Sequence, residues 1–202
     1  MFAAMTKNPW RMKGIKSVHV GGKTKITRPG QCVSVDQLES PQVGFIAQIK
    51  GRLTKKRYKY ATVFVDHHSD LKYVHYMSEI TSEETVYAKK CFERYAASFN
   101  IKIEHYHCDN GRFTDNLFVQ HCEGMGQNIT YCGVNAHFQN GRAEKAIRDI
   151  QTMARTMLLH AKGRWTDAIH LALWPYAMRM SVHVHYNVPN NQDGSSRLEA
   201  FA

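Results

Sequence analysis

The order of its sequence patterns predicts an α/β domain with a mixed sheet. Three apolar runs come first, with short connections between the second and third, and the rest of the chain alternates helical and extended patterns. The length of 202 residues suits one domain, and the hydrophobic fraction of 43% is typical of a globular protein. No apolar run approaches the roughly 18 residues of a membrane span, so we expect no membrane partner.

The first three runs predict three strands. Residues 32–35 form a short, nearly continuous apolar run, as in strands that are buried on both faces. Residues 60–66 and 71–77 are stronger strand patterns joined by a short polar turn, and such a connection favours antiparallel neighbours. The basic segment 41–59 between the first and second strands is predicted to be a loop.

The middle of the chain predicts a helix and then a strand–helix–strand unit. Thr81-Ser-Glu-Glu84 matches a capping box, and apolar residues follow at helical spacing to about Asn100. Residues 101–108 read as the fourth strand, 114–123 as a short helix and 127–131 as the fifth strand.

The last third of the chain predicts helices. A long one begins at Arg142 and ends near Lys162, and a final one from Trp165 to Met180 is expected to kink or restart at Pro175. Together the elements predict a ribonuclease H-like fold: a five-stranded mixed sheet flanked by helices. We expect three segments, a basic linker or arm at 1–30, the core at 31–190 and a polar tail at 191–202.

The charge of the chain points to a polyanionic partner. The net charge is +10 and the pI about 9.4, and lysines and arginines are concentrated before Tyr60. Clustered cations bind nucleic acid by releasing counterions from its phosphates. For the arm before Cys32, a solubilising and loosely ordered basic segment is an equally good interpretation.

Cysteines and histidines give little support to a disulfide framework or a zinc site. The five cysteines are odd in number and lack CxxC spacing, which favours a reducing, intracellular setting. His105, His107 and Cys108 are close in sequence, but on a strand the two histidines share a face and Cys108 points away from it. Packed or exposed histidines are therefore favoured over zinc ligands.

Three acids stand at the edges of predicted elements. Asp36 ends the first strand, Asp109 follows the fourth, and Glu144 lies in the first turn of the long helix. Carboxylates suit Mg²⁺, and paired metal ions serve phosphodiester chemistry. Singly, each aspartate could cap a turn and Glu144 could favour its helix terminus. In this basic chain their combination favours a metal site. Asp66 is the main competitor, and we expect it to be structural.

Several segments together resemble a known family. They are Val35-Asp36, the run 63–69, His107-Cys-Asp-Asn-Gly111, Gln139-Asn-Gly-Arg-Ala-Glu-Lys145 and Ala154-Arg-Thr-Met-Leu158. Over about residues 31–190 the chain resembles the integrase catalytic core of retroviruses and long-terminal-repeat retrotransposons, specifically the copia type. The resemblance implies a ribonuclease H-like fold, 3′-end processing and strand transfer of element DNA into a target. It also implies catalytic metal ligands for Mg²⁺ or Mn²⁺ at Asp36, Asp109 and Glu144.

The same resemblance implies the partners. Lys145 and Arg148 match basic, DNA-contacting positions of the family helix, and Gln139 and Asn140 lie in the loop that precedes it. Element ends and target DNA are the expected substrates. A homo-oligomer and a nuclear location are expected from the family.

Departures from the family pattern leave alternatives open. Residues 110–143, 34 in all, separate Asp109 from Glu144, whereas the family commonly has one residue more. Asp70 stands where the family usually has Arg, and Arg197 where it usually has Pro. The family's upstream zinc-binding module and C-terminal region are not in this sequence. A nuclease on the same fold and a nucleic-acid-binding module without catalysis remain alternative functions.

Overall fold

The computed structural model describes residues 26–47, 54–132, 140–189 and 194–202. Within these ranges the strands are β1 (Val33–Phe45), β2 (Arg57–Asp66), β3 (Lys72–Met77), β4 (His105–Cys108) and β5 (Asn128–Tyr131). The helices are α1 (Ser82–Ala97), α2 (Asn116–Gly124), α3 (Gly141–Arg164), α4 (Trp174–Asn187) and α5 (Arg197–Phe201). Of these described helices, none has the length and apolar character needed to cross a membrane.

The strands form one mixed sheet in the order β3-β2-β1-β4-β5. The neighbours β1, β2 and β3 are antiparallel, whereas β4 pairs parallel with both β1 and β5. This confirms the predicted five-stranded mixed sheet with flanking helices. The short turn after β2 gives an antiparallel neighbour, and the parallel pairs are joined through helices, as their connections require.

Alternation along the strands separates the two faces of the sheet. Val33 and Val35 belong to the core beneath α1 and α2, where the rings of Phe64 and Phe92 stack at 4.7 Å. Leu38 belongs to the second core, beneath α3 and α4. Because successive side chains of a strand point to opposite faces, the even-numbered polar residues at the start of β1 lie on the α3 side. The candidate site is therefore on that side.

Strand β1 is much longer than the predicted run 32–35. It has 13 residues, and its pairing with β2 shifts register between Glu39 and Gly44. Pro41 lies in this irregular stretch, where a missing N–H does not break a regular ladder. The prediction of a loop over residues 41–59 was therefore wrong up to Phe45 and again from Arg57, where β2 begins. Residues 48–53 of that segment lie outside the described ranges.

The sequence predicted the start of α1 correctly and the start of the final helix too early. Thr81 caps α1, and its hydroxyl accepts a hydrogen bond from the backbone N–H of Glu84 at 3.2 Å, as predicted. The predicted final helix from Trp165 instead begins at Trp174, after a 3₁₀ turn at Leu171–Leu173. Pro175 lies in the first turn of α4, where its missing N–H has no helical partner to lose.

The segment predicted to be a polar tail contains α5, which packs on the core. Phe201 is only 1% exposed and contacts the rings of Tyr95 and Phe99. Arg197 Nε donates to Asp70 Oδ2 at 3.1 Å. The two departures from the family pattern at positions 70 and 197 thus contact each other. The segment boundaries at 30/31 and 190/191 stay predictions, and residues 1–25 lie outside the described ranges.

Candidate metal and nucleic-acid site

Two of the predicted acids come together through the parallel pairing of β1 and β4. The last pair in this register is Val35 with Cys108, and Asp36 and Asp109 follow directly on their strands. Both are half-buried. Asp36 Oδ1 accepts a hydrogen bond from the backbone N–H of Gln37 at 2.8 Å. Central strands that run in the same direction therefore bring the two carboxylates to adjacent positions at the carboxyl end of β4. Asp36 was predicted to end its strand, but β1 continues to Phe45, so Asp36 is an interior residue of β1.

Two buried thiols lie in the field of these carboxylates. Burial raises the pKa of Cys108 well above its usual range, and nearby groups that include Asp109 and Asp36 raise it further. The pKa of Cys132 is raised first by burial and then by Asp109, Asp36 and Glu144. All three acids thus contribute negative charge near the Cys132 thiol.

The start of α3 is fixed against β1 by one side chain. Asn140 is 2% exposed, and its Nδ2 donates to the carbonyl of Val35 at 3.1 Å. This bond anchors the start of the helix beside the residue that precedes Asp36, and Glu144 lies in the first turn of that helix. We expected Asn140 to contact DNA. In the structure this buried side chain bonds to β1, and its expected contact with DNA stays a prediction.

The donor chemistry of the site suits Mg²⁺ or Mn²⁺. Within the described ranges, no three His, Cys, Asp or Glu side chains are arranged as a cluster that could hold a metal ion. Asp109 Oδ1, however, is buried and accepts no hydrogen bond from any described residue. Buried polar atoms are nearly always satisfied, and a carboxylate oxygen is a hard ligand of the kind these ions prefer. The residue types of Asp36, Asp109 and Glu144 therefore suit the ion chemically, and their role as its ligands stays a prediction.

Exposed cations lie beside Glu144. Lys145 and Arg148 are both exposed on α3, and neither forms an ion pair with a described residue. They are therefore accessible to a phosphate backbone, which basic side chains position without reading its sequence. Gln139, the fourth residue expected to contact DNA, lies outside the described ranges.

Asp66, the competitor for a metal role, is fully occupied by hydrogen bonds. Its Oδ1 accepts from the backbone N–H of Gly30 at 2.8 Å. Its Oδ2 accepts from the N–H groups of His68 and Ser69 and from the hydroxyl of Ser69, at 3.0, 2.8 and 2.8 Å. A carboxylate so occupied closes the turn after β2 and has no coordination left for a metal ion.

His105 and His107 of β4 both contact Thr130 of the neighbouring strand β5. His105 Nε2 and His107 Nδ1 lie 2.7 and 2.9 Å from the hydroxyl of Thr130, and Cys108 points into the opposite core, as predicted. Sequence reasoning missed that Cys132 Sγ lies 3.6 Å from His107 Nε2. Only the parallel pairing of β4 with β5 brings these two residues together, and neither has a local motif that could have signalled it.

Solved structures of retroviral integrase catalytic cores share this fold. The HTLV-2 integrase catalytic core domain in complex with magnesium, in its trimeric form, has a TM-score of 0.61 and 19% identity, covering 87% of this chain and 98% of that chain. The core of BIV integrase has a TM-score of 0.57 and 17% identity, covering 85% and 93%. A simian T-cell lymphotropic virus intasome in complex with PP2A regulatory subunit B56 gamma has a TM-score of 0.64 and 14% identity, covering 88% of this chain and 57% of that one.

No protein-family model and no curated protein matches the chain. At these identities the structural likeness establishes the fold, which is the ribonuclease H-like fold of integrase catalytic cores. Its five strands and flanking helices are those described above.

Proposed function

We propose that the chain is the catalytic core of an integrase, a polynucleotidyl transferase that joins 3′ ends of element DNA to a target with Mg²⁺ or Mn²⁺. The observation that carries the proposal is that parallel β1 and β4 place Asp36 beside Asp109, in a sheet with the integrase fold, while Asn140 ties the start of α3, which carries Glu144, to β1. The Oδ1 of Asp109, buried and without a hydrogen bond from the described residues, supports a site that requires a cation.

Each described residue of the site has a distinct task in this proposal. Asp36, Asp109 and Glu144 would hold a pair of divalent cations, which when bound would supply activation of an attacking oxygen and stabilisation of a leaving one. Lys145 and Arg148 orient the phosphate backbone against the carboxylates. Asn140 positions Glu144 by tying the start of α3 to β1.

The biological setting follows the same proposal. The Asp-Asn-Gly motif at 109–111 and the Gln-Asn-Gly-Arg-Ala-Glu motif at 139–144 favour a copia-type retrotransposon as the source. Element ends and target DNA are then the substrates, and nuclear action follows from them. The HTLV-2 core is described in dimeric and trimeric forms, which supports a homo-oligomer.

The test is a metal-dependent assay on a branched DNA that mimics the strand-transfer product. This substrate needs only cleavage at the branch and rejoining of one strand. Wild type is compared with Asp109→Asn and Glu144→Gln, and with Asp167→Asn and Glu123→Gln as matched controls at exposed positions. We expect Mn²⁺-dependent resolution and rejoining in wild type and controls, and neither in the two site variants.

Other results would assign a different function. Cleavage without rejoining would indicate a nuclease on this fold. Salt-sensitive DNA binding that is equal in all five proteins, without any metal-dependent product, would leave a nucleic-acid-binding module and contradict the transferase.

A further inference from the structure

A polar recess of about 380 Å³ lies between the β2–β3 turn and α3. We name it the turn recess. The charged side chains that line it are Lys72, Arg142, Lys145, Asp70 and Asp149. Along α3, residues 142, 145 and 149 recur at helical spacing and share one face.

The turn recess and the carboxylates flank α3 from two sides. Glu144 is two residues after Arg142, which places it about 200° around the helix. Lys145 and Arg148 are exposed on the ridge between the two sides. A strand that crosses this ridge can therefore reach both the carboxylates and the turn recess.

Both acids of the turn recess already have cationic partners. Lys72 Nζ lies 3.4 Å from Asp149 Oδ2, and the Lys72 side chain is only 4% exposed. Asp70 Oδ2 lies 3.1 Å from Arg197 Nε and 3.5 Å from His185 Nε2. The negative charge of the recess is thus neutralised from within the fold.

Two cations remain. Arg142 Nη1 donates to the carbonyl of His67 at 2.8 Å, which holds the guanidinium at the β2–β3 turn. Arginine has five N–H donors, so most of them stay available to a ligand. Neither Arg142 nor Lys145 forms an ion pair with any residue in the described ranges. The recess therefore presents uncompensated positive charge in a polar concavity, and a phosphate group matches both features.

We propose that the turn recess binds a backbone phosphate of the DNA strand, with Arg142 and Lys145 as its charged contacts. This inference rests on the proposed function, because the strand reaches the recess while another of its phosphates lies at the carboxylates. The diameter of a helix with its side chains is about 10 Å, and one strand advances about 3.4 Å per nucleotide, so the two phosphates are roughly three nucleotides apart. Inorganic phosphate shares this chemistry and is the competing ligand.

The first measurement is the salt dependence of binding to the branched DNA. Arg142→Gln should weaken binding about tenfold at low salt and reduce the slope of log K against log salt by about 0.9, the value for one phosphate contact. Arg142→Lys, which keeps the charge, should restore the slope. Lys162→Gln is the matched control, because Lys162 is exposed on α3 about 30 Å further along the axis.

The second measurement locates the phosphate. Single neutral methylphosphonate linkages are placed one at a time along the strand, and binding is measured for wild type and Arg142→Gln. In wild type we expect weaker binding when the neutral linkage lies roughly three nucleotides from the reacting phosphate. In Arg142→Gln, a neutral linkage at that position should no longer weaken binding. Neutral linkages at the other sensitive positions should weaken binding as they do in wild type. A merely structural role of Arg142 would not remove sensitivity at a single linkage.

The outcomes separate this inference from the proposed function. If Arg142→Gln has the same salt slope and linkage profile as wild type, and metal-dependent rejoining is intact, the proposed phosphate site in the turn recess is wrong and the proposed function is unaffected. If wild type neither binds nor rejoins DNA, the proposed function and the recess fail together. Inorganic phosphate that stabilises wild type but not Arg142→Gln against heat, with an unchanged DNA profile, would assign the recess to a free phosphate compound and overturn its assignment to DNA.

Discussion

Asp66 and Asp109 both stand at the end of a central strand, yet their carboxylates are in opposite states. Asp66 is 0% exposed and accepts four hydrogen bonds from the turn after β2 and from Gly30. Asp109 follows β4, and its buried Oδ1 accepts none from the described residues. The same residue type in a similar position thus closes a turn in one case and remains available for a ligand in the other.

The difference shows which property separates a structural acid from a functional one. Burial of a carboxylate costs free energy unless hydrogen bonds or an opposite charge compensate it. Asp66 is compensated within the fold, so its contribution is to stability. Asp109 directly follows β4 beside Asp36 of β1, and a cation would compensate its buried Oδ1. Substitutions at the two aspartates should therefore affect different measurements.

The largest expected effect is on the activity of Asp109→Asn. Loss of a metal-holding carboxylate should reduce metal-dependent rejoining more than about 100-fold, since even the hydrogen-bond partners of metal ligands are worth roughly 10- to 100-fold. Its free energy of unfolding in urea should stay within about 1 kcal/mol of wild type, because no hydrogen bond to Oδ1 is lost. A strongly destabilised variant would mean that Asp109 is structural, like Asp66.

For Asp66→Asn we expect the opposite result, which is lower stability with activity retained. An amide accepts at only one oxygen, so this variant should lose about 2–4 kcal/mol of unfolding free energy. Urea unfolding at neutral pH measures it, with Asp167→Asn as the exposed control. Variant protein that stays folded should retain metal-dependent activity. Near wild-type stability would show that the hydrogen bonds at the turn contribute little.

A smaller effect, on the thermal stability of the protein, is expected from metal binding alone. Mn²⁺ at ten times its dissociation constant should stabilise wild type by about 1.4 kcal/mol. This corresponds to a rise in Tm of roughly 3–6 °C for a chain of this size. The shift should be reduced in Asp109→Asn and retained in Asp66→Asn, as thermal denaturation with and without Mn²⁺ would record. Equal shifts in both variants would place the ion elsewhere.

The smallest effect concerns Asp70, a third aspartate with ionic partners. Burial raises its pKa, but the hydrogen bond from His185, the charge of Lys72 and the hydrogen bond from Arg197 together lower it from 3.8 to about 2. Because the folded pKa is below the ordinary value, the stabilisation is complete above about pH 4 and is lost as the pH falls toward 2. Since the side chain is half exposed, its contribution should be under about 1 kcal/mol.

The Asp70 prediction is checked by urea unfolding of Arg197→Gln. The unfolding free energy of this variant should be lower than that of wild type near neutral pH. This difference should shrink as the pH falls from about 4 to about 2. Lys162→Gln serves as the charge-matched control, for which no such change is expected. A deficit of Arg197→Gln that does not vary with pH would show that Arg197 stabilises α5 by packing.

Local patterns in the sequence predicted much of the fold and placed the acids. Apolar alternation identified the strands of the mixed sheet, and Thr81 identified the start of α1, because periodicity and capping depend on neighbouring residues only. The same patterns placed Asp109 directly after β4, whereas Asp36, predicted to end its strand, lies inside the longer β1. The catalytic roles of Asp36, Asp109 and Glu144 stay predictions. Local signals failed at two places because packing decided the structure there. Strand β1 continues past Pro41, and Phe201 of the final segment joins the core.

What the sequence by itself determined is the order of elements, the basic charge and the spacing of the acids. Only the tertiary structure decided which distant residues meet. Asn140 bonds to Val35 across 105 positions, and Arg197 to Asp70 across 127. The turn recess likewise joins a β-turn to a helix more than 70 residues further along, as the Arg142–His67 separation of 75 shows. Such contacts depend on how layers pack, and no local pattern encodes that geometry.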